Sequence, residues 1–241
     1  MTEHTPQPPA EAAGGSGPSA RREPRNEPAG TAGADGMESA GLHPAGFDRE
    51  AFLTAMASRR SLASSGDEAP DDEELARLLR AVAPVADHAG LRPWRFIALR
   101  GDDRKALGRA FDDATGTLSD DPSVYSRRPL RSPLLLALVG VHRPHPKVPE
   151  WEQHASAAGA GHLLSLALWA AGWAVHWRTG PLVRSEPVRR LHGLSEDEVL
   201  MGWLYIGRPD PQRARPKPRE LDVDAVLSRL PAPQPPLRAQ D

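Results

Sequence analysis

Pro133-Leu134-Leu135-Leu136-Ala137-Leu138-Val139-Gly140-Val141 is an unbroken apolar run entered through a Ser-Pro turn at Ser132. A strand with one wet face alternates apolar and polar side chains; this one does not alternate, so it reads as a central strand covered on both faces. The sequence on either side supplies the covers. Lys105 to Asp113 has helical spacing, with Leu107, Ala110 and Phe111 turned inward, and Trp151 to Ala171 is a longer apolar helix. Gly159 and Gly161 in that helix leave room for a close neighbour, in the core or at a subunit interface. Further strands read at Arg95 to Leu99, closed by Gly101-Asp102, at Trp173 to Arg178, and at Val199 to Ile206, stopped by Gly207-Arg208-Pro209. Glu186 to His192 is a short helix between the last two. Strands alternating with helices, with few tight-hairpin signals, argue for an α+β or α/β sandwich.

Two more helices precede the first strand. Asp48 is placed as an N-cap, with Phe47 set to staple onto Phe52, and Phe52, Leu53 and Met56 recur at helical spacing as far as Arg60. Pro70 followed by Asp71-Asp72-Glu73-Glu74 puts acidic groups at the positive end of a second helix, whose stripe is Leu75, Leu78, Leu79 and Val82 and which Pro84 ends. Residues 1–45 are rich in Pro, Gly, Ala, Ser, Glu and Arg with almost no large apolar side chains, so they are expected to be a disordered tail. A proline-rich tail is expected again over 231–241, which leaves 46–230 as one folded domain.

Composition narrows the function classes. With 30 Lys and Arg against 32 Asp and Glu, the net charge of −2 gives no electrostatic reason for nucleic acid or an anionic membrane as partner. Cysteine is absent, which excludes disulfides, thiolate metal sites and a cysteine nucleophile and fits a cytoplasmic protein. Ala155 to Ala174 is apolar but contains His162 and Ser165, so it reads as a buried helix and not a membrane span. His142 and His145 lie in a proline-rich loop and read as solvated, so no metal site is expected. Gly159-Ala160-Gly161 lacks the third glycine and the preceding strand of a dinucleotide fingerprint, and neither a Walker loop nor a Gly-x-Ser-x-Gly elbow is present.

Arg59-Arg60-Ser61 remains. Adjacent guanidinium groups at a helix end suit an anion, above all a phosphate, although a basic helix terminus followed by a serine is also ordinary dipole complementation. Downstream, Asp87-His88-Ala89-Gly90-Leu91-Arg92-Pro93-Trp94-Arg95-Phe96 puts a short polar motif and a Pro-Trp pair ahead of a strand. Then come Lys147-Val148-Pro149-Glu150-Trp151-Glu152-Gln153, Trp177-Arg178-Thr179-Gly180 and Gly202-Trp203-Leu204-Tyr205-Ile206-Gly207-Arg208-Pro209. In this order the five segments resemble the nitroreductase family of flavoproteins, and most closely its compact single-domain branch. The resemblance runs from about Phe47 to about Pro209.

The resemblance implies an α+β fold, an α-β-α sandwich with a central mainly antiparallel sheet, forming a homodimer with two flavin mononucleotides (FMN) at the interface. The Ala- and Gly-rich helix from Trp151 to Gly172 would form part of that interface. It implies an oxidoreductase that takes a hydride from NADH or NADPH at flavin N5 and, in a ping-pong cycle, reduces nitroaromatics, quinones or similar acceptors. The cofactor-binding residues it implies are Arg59, Arg60, Ser61, Pro84, His88, Trp177, Arg178 and Thr179, with no protein acid or base because the flavin carries the chemistry. Pro84 stands where the compact branch often has a cationic flavin contact. Thr115 to Arg131, which would form the pocket's upper wall, carries no readable signature. Two alternatives stay open: another flavin enzyme on this fold, a dehydrogenase or a flavin-cleaving enzyme, and a non-enzymatic protein that holds flavin or acts through protein contacts.

Overall fold

The computed structural model describes residues 43–117, 123–213, 217 and 220–230. The tails expected over 1–45 and 231–241 therefore lie outside the described residues, apart from 43–45. Of the chain before Asp48, the His43 ring stacks on Phe47 with centroids 4.5 Å apart. The elements below belong to the unit that begins at Asp48.

Helix α1 (Arg49–Ser58) starts where Asp48 accepts a hydrogen bond from the Ala51 amide at 2.9 Å, and none of its side chains is buried. Strand β1 (Ser64–Ser65) follows. Helix α2 (Asp72–Arg80) is capped by Asp71, whose carboxylate accepts from the Glu74 amide at 2.8 Å. It ends four residues ahead of Pro84, through successive i to i−3 bonds over Ala81 to Val85. Strand β2 (Trp94–Arg100) runs straight into α3 (Gly101–Thr115). That helix begins earlier than its apolar spacing predicts, because Gly101 turns at φ +47° and Asp103 accepts from the Arg100 amide. Strand β3 (Leu134–Val141), helix α4 (Glu150–Ala170), strand β4 (Ala174–Arg178), helix α5 (Glu186–Leu191) and strand β5 (Glu198–Pro209) complete the unit.

Every described strand pairing is antiparallel. β3 lies between β2 and β5, and β5 pairs on its other side with β4, while β1 meets its last two residues. The pleat sends alternate residues of β3 to opposite layers. Leu134 and Leu136 join Leu204, Ile206 and Val175 under α2 and α4, while Leu135, Ala137 and Val139 join Trp203 and Tyr205 under α3 and α5. The apolar run is buried on both faces for this reason, and the architecture is a helix–sheet–helix sandwich. The two α4 glycines serve packing within the chain. A Cβ on Gly161 would approach Leu138 to 2.8 Å, and one on Gly159 would approach Val85 to 3.0 Å. No helix among the described residues is long and apolar enough to cross a membrane.

Candidate functional site

Strand β4 builds the site by the same alternation. Val175 and Trp177 turn toward α4; the Trp177 ring packs edge-on to His162 at 5.1 Å between centroids and donates from Nε1 to the Met201 carbonyl at 3.0 Å. His176 and Arg178 alternate with them and line three adjoining cavities of about 640, 600 and 370 Å³. Ser61 to Ala63 forms one wall, fixed where the Leu62 amide donates to the Val175 carbonyl and the Asp210 amide to the Ala63 carbonyl. Arg208 to Pro211 and Arg213, next to that wall, continue the lining. Trp177, Thr179 and Gly180 line the second cavity with Tyr205, Phe111 and Trp203.

The electrostatics are one-sided. The Arg178 guanidinium carbon lies 5.3 Å from the centre of the Tyr205 ring, and its Nε is buried with no hydrogen-bond partner. A buried charged donor left unmatched costs free energy, of the order of 1–3 kcal/mol for such a group, which a bound acceptor would recover. Burial, and then the Arg178 charge, push the His176 imidazole below its usual range, so it is neutral at physiological pH. Burial raises the Tyr205 phenol against the pull of Arg178, Arg131 and Arg128. The cavities thus present mainly cations and neutral groups, with Asp210 a carboxylate on the first and the aromatic walls concentrated in the second. Arg208 is already paired with Glu68 at 2.9 Å and lies 4.3 Å over Trp173, and Arg213 is paired with Asp210 at 3.5 Å.

Of the residues expected from sequence, Ser61, Trp177, Arg178 and Thr179 line these cavities. The others sit elsewhere within one chain. Arg59 caps α1 through its amide, and Arg60 folds back to donate to the Ala57 and Arg59 carbonyls at 2.5 and 2.7 Å. Arg60 lines a smaller cavity of about 270 Å³ with Trp169 and Trp173. Pro84 is exposed in the turn after α2. His88 pairs through Nδ1 with Glu152 of α4 at 2.8 Å, in a loop where Ala89 and Arg92 have φ of +62° and +46° and Asp87 accepts from the Arg92 amide. Such left-handed non-glycine residues store strain that the Asp87 bond offsets.

Sequence reading missed His176, Arg131, Arg208 and Arg213. The period of two would place His176 on the face of Arg178, but nothing local shows which face of β4 meets the cavity. The three cations come from a 3₁₀ turn over Arg128–Arg131, from the end of β5 and from the segment just after it, which only tertiary packing brings to β4.

Comparison with known proteins agrees with this fold. Residues 56–208 match the family model described as the nitroreductase family. The Escherichia coli (strain K12) protein named "Putative NAD(P)H nitroreductase YdjA" is 34% identical over 160 residues, covering 65% of this chain and 87% of that protein. The crystal structure of a nitroreductase-like family protein from Bacillus cereus superposes with a TM-score of 0.64 at 20% identity, over 75% of this chain and 96% of that one. A variant of the FMN and NADPH-dependent nitroreductase NfnB, from a sphigopyxis strain, superposes at 0.60 with 18% identity, over 75% and 99%. The chain belongs to the nitroreductase family. Its fold is the one these structures share.

Proposed function

We propose that the protein is a cytoplasmic FMN-dependent oxidoreductase that takes electrons from NADH or NADPH and passes them to an electron-poor acceptor such as a nitroaromatic or a quinone. The observation that carries the reading is the Arg178 guanidinium, with its buried, unmatched Nε, at the junction of three cavities in a chain of this family. The donor set fits FMN. Ser61 and Arg213 would hold the phosphate, Arg178 the polar edge of the ring system, and Trp177 and Thr179 would border the ring itself. Bound there, the flavin supplies a reversible two-electron carrier between nicotinamide and acceptor. Arg178 favours negative charge on whatever it faces, and the neutral His176 adds no competing cation at physiological pH. The aromatic walls exclude water from one side.

The same proposal makes the working unit a homodimer. Leu53 and Met56 on α1 are 56% and 47% exposed, and Trp151 on α4 is 69% exposed, apolar surface that a second chain would cover. Arg59, Arg60 and His88 line none of the three cavities of their own chain, and the proposal assigns them to the flavin across that interface. Pro84, with neither charge nor N–H donor, adds no polar group there.

The test is the visible spectrum of the purified protein, followed by anaerobic NADPH. Flavin bands that bleach are expected, and Arg178→Ala should lose the flavin with the fold kept. A colourless protein that also ignores added FMN refutes the reading.

A further inference from the structure

Arginines elsewhere along the sheet have carboxylate partners: Arg95 forks onto Glu198, Arg100 reaches Asp72, and Arg208 reaches Glu68. Three at the second cavity do not. Arg128 and Arg131, from the 3₁₀ turn before β3, line its rim with Arg178 of β4, and among the described residues no carboxylate is within ion-pair distance of any of them. All three line the same cavity as Tyr205. Arg128 also lies 4.5 Å over the Tyr125 ring. Three guanidinium groups clustered with no counter-charge among the described residues repel one another, and an anionic ligand reverses that cost. Part of the remaining wall is aromatic, with Phe111 against Trp203 at 5.4 Å between centroids, beside Pro181 and Leu182. Cations at the mouth and rings at the back make a cavity of about 600 Å³ suited to a flat ring that carries an acid group.

We infer that this arm of the cleft is an acceptor subsite for aromatic acids, in which Arg128 and Arg131 hold the carboxylate and the aromatic wall takes the ring. The inference rests on the oxidoreductase reading and narrows its substrate class. A nitro group taken to nitroso releases one water and consumes two electrons and two protons. The nicotinamide supplies both electrons and one proton as hydride, and solvent supplies the second proton. Arg128 and Arg131 act as binding residues and take no part in that transfer.

The experiment compares 4-nitrobenzoate with nitrobenzene on the flavin-loaded protein and on the Arg128→Gln, Arg131→Gln double variant. Both side chains are exposed, so the fold should survive, which a melting curve checks. The wild type should favour 4-nitrobenzoate about tenfold or more in kcat/KM, through KM, and the preference should shrink in about 0.5 M salt. The double variant should bring the ratio to about twofold or less, with flavin content and nitrobenzene turnover kept. Equal turnover of the two probes by the wild type, or a preference that survives in the variant, overturns the inference. Loss of flavin by the variant also overturns it, because the arginines would then serve the cofactor's phosphate. Should neither probe be reduced, the oxidoreductase reading fails, and calorimetry still decides the subsite: 4-nitrobenzoate must bind the wild type and not the variant.

Discussion

Gly202 is where the site depends most on one missing carbon. The register of β3 against β5 passes from Ala137↔Trp203 to Val139↔Leu200, so β5 spends one extra residue opposite Leu138, and Gly202 lies in that bulge at φ +117°. The bulge sits beneath the end of β4. A Cβ built on Gly202 would be 2.4 Å from the Arg178 carbonyl oxygen, 2.8 Å from Trp177 Nε1 and 3.0 Å from Thr179 Cγ2. Two of these atoms are close to rigid, one a backbone carbonyl and one an indole held to Met201. Gly202→Ala must therefore push the Trp177–Thr179 segment away by a large fraction of an ångström. It combines a left-handed strain of about 1–3 kcal/mol with an overpacking cost of about 1–3 kcal/mol, so roughly 2–6 kcal/mol in all. Gly116→Ala provides the control: its φ of +66° imposes strain, but nothing lies within 4 Å of the added carbon. Urea denaturation should place Gly202→Ala well below Gly116→Ala in stability, and flavin affinity should fall in the former alone. If the two variants differ by under about 0.5 kcal/mol and both keep flavin, the steric account of the β4–β5 junction is wrong.

Two titrating groups give further expectations. His192 is 7% exposed; its Nδ1–H donates to the Val188 carbonyl at 2.8 Å and its Nε2 accepts from the Trp203 indole at 3.1 Å. Burial, helped by Arg95 and opposed by the Val188 bond, holds its pKa below the ordinary 6.5. Below that pH the unfolded chain takes up a proton that the folded chain refuses, so stability falls from about pH 6.5 downward until folded His192 itself protonates. His192→Gln should flatten the stability curve across that window in thermal melts, and parallel curves would contradict the assignment. Glu198 works in the same sense, in a lower pH window. The Arg95 hydrogen bond, with Ser195 adding to it, holds its carboxyl below the usual range, so its contribution is complete above about pH 4.5 and is lost as pH falls through the lowered value. With Arg95 40% exposed the pair is partly screened, and Glu198→Gln should cost only about 1 kcal/mol at neutral pH in chemical denaturation. A neutral or stabilising result would show that the fork adds nothing in solution.

The elements legible in the sequence were those set by local physics. Pro133 to Val141 has no polar side chain to face water, so only a doubly covered strand accommodates it, and that is where β3 lies. Asp48 and Asp71 satisfy orphan amides one turn away, so both helix starts could be read from a few residues. Trp177, Arg178 and Thr179 were recognised by their order along the chain, and the family match covers 56–208. The rest came from pairing over long sequence separations, for which a residue's own neighbours carry no signal. That β5 would be shared between β3 and β4, that it would bulge at Gly202, and that His176 would face the cavity beside Arg131 and Arg213 are all consequences of register. Local spacing determines which side chains share a face of a strand, because the pleat is built into the backbone. What that face meets is decided only when the remote strands and turns are packed against it.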